Sequence, residues 1–206
     1  MLLGPVGILR NMSQTDYAAS FLLKNKKRRR IRMKTFDYSL VKDPQYFKDR
    51  RMDAHSDHTY YRDGEEAQEK ATSFRYDLNG IWKFHYARNY GSAIPGFEKA
   101  DYCCKDWDDI RVPAHIQMEG YDAPQYANVQ YPWEGHEELH PGQIPERFNP
   151  VASYVRYFHV PESMKEKEYL FHSREQRAAW LCGLMENLWD TVKILLLRQN
   201  SSLRNI

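Results

Sequence analysis

Two short runs of strict alternation, separated by long stretches rich in turn formers, limit this chain to a small set of folds. In the first, Trp82, Phe84 and Tyr86 alternate with Lys83 and His85, the period of a strand with one face covered. In the second, Ala152 to Val160, Tyr154, Phe158 and Val160 alternate with Val155 and Tyr157. Between them stand Gly91, Pro95, Gly96, Gly120, Pro124, Gly135, Gly142 and further prolines, residues that punctuate loops and leave no room for crossover helices. Without such helices a parallel sheet has no way to connect its strands, so the pattern predicts an all-β antiparallel sandwich. Aromatics at 14%, including 15 Tyr and 5 Trp, suit strands and wide contact faces.

The densest stretch is VPAHIQMEGYDAPQYANVQYPW, Val112 to Trp133. Ile110, Val112 and Pro113 read as a strand end. Gly120, Asp122 and Pro124 cannot continue a regular element, so an ordered loop follows. Asn128 lies among Tyr126, Val129, Tyr131, Pro132 and Trp133. Residue types alone leave two readings open. One is a packed loop whose Asn bonds its own backbone; the other is an amide that holds a sugar hydroxyl between aromatic faces.

Charge and cysteine content narrow the function classes. The 206 residues carry a net charge of +2, but residues 1–32 hold eight Lys or Arg against Asp16 alone, +7, which leaves −5 on the remainder. A nucleic-acid binder spreads its cations over a folded face, whereas these sit in a terminal run, so no nucleic-acid partner is expected. No stretch is long enough to span a membrane, and the start lacks the order of a secretory signal. Cys103, Cys104 and Cys182 form no CxxC and leave an odd thiol, which fits a cytoplasmic location and no zinc site. The sequons at Asn11 and Asn200 are then idle. His55 and His58 lack further ligands to make a metal site, and the adjacent Glu65 and Glu66 read as solvated charges.

Three segments, DLNGIWKFHY (Asp77 to Tyr86), Asp106 to Trp133, and FNPVASYVRYFHVP (Phe148 to Pro161), resemble in order and spacing the amino-terminal domain of glycoside hydrolase family two β-galactosidases of the lacZ type. The resemblance extends over roughly 34–168 and departs from many relatives at Ala114, His115 and Ile116. It implies a jelly-roll, galactose-binding-like β-sandwich, here incomplete. The parent enzyme would hydrolyse terminal β-D-galactose with retention, using two barrel carboxylates about 5 to 5.5 Å apart. No catalytic residue and no metal ligand falls in this chain, and magnesium and sodium are expected only for the full-length enzyme. Asn128 is the implied substrate-binding residue, on a loop supported by Tyr121, Asp122, Tyr126 and Val129. The implied partner is a β-galactoside, and relatives are often homo-oligomers. A stand-alone carbohydrate-binding module is an alternative reading, as is a fragment of a β-glucuronidase or β-mannosidase; GYDAPQYANVQYP favours the galactosidase.

The ends read differently from the middle. Residues 1–32 end in KNKKRRRIR, a disordered polybasic arm. Were Arg28 and Arg29 both AGG, a ribosome-binding sequence would lie nine bases before the codon of Met33. Met33 is therefore expected to be the native start and residues 1–32 a translated leader, with a nuclear-import or membrane-binding tract as the competing reading. Residues 33–72 form an irregular wrap and 73–169 the truncated sugar-binding domain. Residues 170–206 have apolar spacings of an amphipathic helix. Read two bases on, however, Met185–Glu186 and Trp189–Asp190 each force Gly, and other junctions permit Trp, Phe and Tyr, as the family's strand pair requires. The tail is thus expected to be out-of-frame peptide, drawn as a helix that packs poorly.

Overall fold

The computed structural model describes residues 3–11, 37–49, 53, 58–99, 101–123, 134–135, 137–140, 142–159, 161–164, 169–173, 179–184, 187–192 and 199–203. Its centre is antiparallel. Strand β3 (Gly80–Ala87) pairs on one side with β4 (Asp108–Val112) and on the other with β5 (Val151–Phe158). The register puts Trp82 opposite Ile110 and Phe84 opposite Tyr154, so the inward positions of three strands meet on one face. Trp82, Phe84, Ile110, Ala152 and Cys182 form the buried core there, with Leu78, Val112, Ile116, Tyr121, Tyr154, Phe158 and Phe171 packed around it.

The second face of the same sheet is also covered. Phe97, Cys104 and Trp107, from the loop between β3 and β4, lie against Val155. That loop bends at Gly96, whose φ of +73° lies in the region glycine adopts without a Cβ clash. β5 is therefore buried on both sides: Val151, Ala152, Ser153 and Val155 are each at most 4% exposed. This explains why alternation in β5 is apolar on both phases, unlike β3, where Lys83 on the second face pairs with Asp109 at 2.9 Å.

The ends depart from the sequence-based expectation. Strand β1 (Leu3–Asn11) runs parallel to β5 and to β7 (Ala179–Leu184). Residues 3–11 are therefore strand, the basic run 24–32 of the expected arm lies outside the described residues, and the sheet is mixed instead of wholly antiparallel. Val6 and Ile8 favour extended backbone, and Pro5, which has no N–H to donate, falls where the β1–β7 register shifts between Leu3 and Val6. The described residues of the tail are strands, where a helix was expected. β7 and β8 (Asn187–Val192) pair antiparallel, and β6 (Tyr169–Ser173) pairs with β9 (Gln199–Leu203) in a separate two-stranded sheet. Gly183 costs a helix about 1 kcal/mol, while Trp, Thr and Val suit strands, and a partner edge offered by β1 overrides the helical spacing. Cys182, at 1% exposure, joins the main core. With β2 (Lys48–Asp49) on β8, the larger sheet has the order β2-β8-β7-β1-β5-β3-β4.

The expected irregular wrap holds two short helices, α1 (Ser39–Lys42) and α2 (Gly64–Glu69). Val41 of α1 packs on Ala87 and Val151, which ties the wrap to the ends of β3 and β5. α2 starts at Asp63, whose carboxylate accepts from the backbone N–H of Glu65 and Glu66, a side-chain N-cap. Glu66 differs from the solvated charge expected of it. Its carboxylate accepts from the Arg62 backbone N–H at 2.8 Å and pairs with the Arg62 guanidinium. Glu65 and His58 are exposed, and His55 lies outside the described residues.

Candidate functional site: the base of the 112–133 loop

The loop leaves β4 through a cis Val112–Pro113 bond and closes at once into a compact turn. The backbone N–H of Met118 donates to His115 at 2.9 Å, and that of Tyr121 to Ile116 at 3.0 Å. Ile116, one of the positions that departs from the family pattern, sends its side chain into the main core. Arg111 and Glu119 then close the outside of the turn at 2.9 Å. Gly120 has φ +93°, and Asp122, which carries a Cβ, has φ +59°. Two left-handed corners within three residues reverse the chain there, and the second needs support from its surroundings.

That support comes from β3 and β4. The ring of Tyr121 meets Phe84 edge-on at 4.5 Å between centroids, and Tyr86 lies 6.4 Å away. The Tyr121 hydroxyl lies near the carboxylate of Asp108. One strand position further, the Tyr86 hydroxyl lies near the carboxylate of Asp122. Burial, followed by the Asp122 charge, pushes the Tyr86 hydroxyl up to about 12. Burial, followed by the Asp108 carboxylate, does the same for Tyr121. Both tyrosines therefore stay protonated at neutral pH.

Of the residues expected at the site, Tyr121 and Asp122 are thus placed at the loop base, whereas Tyr126, Asn128 and Val129 lie outside the described residues. Sequence reading missed Tyr86 and Asp108. Tyr86 was legible as an inward position of β3, but nothing in the sequence said which loop its hydroxyl would address. Among the described residues no group of three or more His, Cys, Asp or Glu is placed to hold a metal ion.

Residues 75–176 match the family described as glycosyl hydrolases family 2, sugar binding domain, and this part of the chain belongs to that family. The beta-galactosidase of Halalkalibacterium halodurans is 51% identical over 134 residues, covering 64% of this chain and 13% of that protein. That of Streptococcus thermophilus is 41% identical over 128 residues, 62% of this chain and 12% of that protein. The beta-galactosidase large subunit of Latilactobacillus sakei is 34% identical over 155 residues, 68% of this chain and 25% of that protein. The chain thus matches the amino-terminal region of bacterial beta-galactosidases and spans a small part of their length.

Proposed function

We propose that this chain is the sugar-recognition part of a β-galactosidase whose complete form hydrolyses terminal non-reducing β-D-galactose by a retaining, two-carboxylate mechanism, and that the domain completes a jelly-roll sandwich there. The observation that carries this is the 51% identity over 134 residues to one such enzyme. Under this reading Asn128 contacts the sugar. An amide offers a donor and an acceptor together, which matches a hydroxyl that needs both. The 134 matched residues cover about an eighth of that enzyme's length, and the 206 residues would not hydrolyse galactosides by themselves. The working location is cytoplasmic, with magnesium and sodium held by other parts of the enzyme.

The same reading treats residues 170–206 as out-of-frame peptide, supported by the Gly codons that the shifted frame forces. Restoring the frame in the coding DNA after Phe171 and assaying a chromogenic β-galactoside tests both ideas. Activity should appear with the restored frame and be absent from the present chain. In the restored enzyme Asn128→Ala should lose about 1–3 kcal/mol of transition-state stabilisation, a roughly tenfold to hundredfold loss in kcat/KM. A folded Asn128→Ala enzyme with full efficiency would show that Asn128 is a structural turn residue.

A further inference from the structure

Just before β5, one carboxylate closes a loop on itself. Glu137 accepts from the backbone N–H of Glu146 at 3.0 and 3.1 Å and from that of Arg147 at 2.9 Å. Between these ends the chain turns at 140–143. There the Gln143 N–H donates to the His140 carbonyl, and the Gln143 side-chain oxygen accepts from the His140 N–H, both at 3.0 Å. Ile144 packs on the cluster of Val41, Ala87 and Val151, and Pro145 is fully buried. The clasped residues in turn hold two other parts of the chain. Glu146 pairs with Lys42 of α1 at 3.2 Å, and the Arg147 carbonyl accepts from the Asn89 side chain at 3.1 Å.

Two backbone donors on one side chain call for an ionised acceptor. A carboxylate offers negative oxygens to both N–H groups, whereas the protonated acid turns one oxygen into a donor and leaves a weaker carbonyl. The N–H groups of Arg147 and Glu146, with the Arg147 charge in support, hold the Glu137 carboxyl below the usual glutamate range. Of the other charged groups around it, Glu146 is matched by Lys42, while Glu138 and His140 are exposed. The neighbouring β3–β5 ladder rests on backbone pairing and on Phe84, Ala152 and Val155, none of which titrates.

We infer that Glu137 is an acid-released clasp: its carboxylate holds residues 137–140 and 142–147 against the entry to β5, and its protonation frees that segment while the β3–β5 ladder stays paired. The sign follows from the depressed carboxyl. Its contribution is complete above the ordinary glutamate range and is lost as pH falls through the folded value. The segment therefore opens as a local unit before the sheet does.

Amide hydrogen exchange read by NMR on the 206-residue chain tests this, with protection corrected for the intrinsic exchange rate at each pH. As pH falls from neutral through the Glu137 titration, protection at Glu146 and Arg147 should drop at least about tenfold. The protected amides of β3 and β5 should change less than about twofold over the same range. The Glu137 side-chain carboxyl carbon shift should titrate with the same midpoint, below that of an ordinary glutamate. Glu137→Gln should show the low protection at neutral pH and no further step on acidification, and Glu138→Gln should behave as the parent. Unchanged protection at Glu146 and Arg147 through the Glu137 titration overturns the inference. So does loss of protection at all amides together, or a folded Glu137→Gln chain with the parent's protection. Should Glu137→Gln fail to fold, the carboxyl titration and exchange of the parent chain decide by themselves.

Discussion

Phe84 is the side chain whose removal should do most damage for its size. It is fully buried, with ring contacts to Tyr121 at 4.5 Å and to Tyr154 at 4.9 Å, both edge-on. Phe84→Ala removes the buried ring and leaves a cavity between β3, β5 and the loop base, for which large-to-small substitutions of Phe cost about 3–5 kcal/mol. Phe84→Leu keeps most of the volume and loses the two ring pairs, each worth about 0.5–1.5 kcal/mol beyond burial, so about 1–3 kcal/mol is expected. Ile81, on the same strand but 50% exposed, is the control, and Ile81→Ala should cost under about 1 kcal/mol. Urea unfolding followed by tryptophan fluorescence reads all three, because Trp82 and Trp107 report on opposite faces of the sheet. If Phe84→Ala cost no more than Ile81→Ala, the packing of the loop base against β3 described above would be refuted.

Alkaline pH should act through the same tyrosines. Tyr38, Tyr86 and Tyr121 are each pushed up to about 12, chiefly by burial, so their contribution to stability is complete below the ordinary tyrosine value and is lost as pH rises through the folded one. A spectrophotometric titration should show these phenols ionising late, together with unfolding; three phenols titrating freely near 10 in a folded chain would contradict their placement. Thiol labelling tests the tail: Cys103 is exposed while Cys104 and Cys182 are buried, so one thiol should react quickly and two only on unfolding. Rapid labelling of Cys182 in the native chain would show that β7 does not pack on the core.

The middle of the chain was legible from its residues. Trp82, Phe84 and Tyr86 announced β3 because a covered strand must place apolar groups two apart, and Gly120, Asp122 and Pro124 announced a loop because they are incompatible with continued helix or strand. Even the family could be read, since three segments kept their order and spacing. What no local pattern contained was pairing. The spacing in 170–206 suits a helix, yet the ladder places Ala179–Leu184 beside β1, since extended backbone gains hydrogen-bond partners across the sheet that periodicity along the chain does not record. The first residues show the same limit, as β1 is a strand only because β5 and β7 supply its two edges. At the loop base, Tyr86 and Asp108 stood in the sequence as one more inward aromatic and one more surface acid. Register and the fold of the 113–121 turn brought each near its loop partner, and such proximity between distant parts of the chain exists only in the tertiary structure.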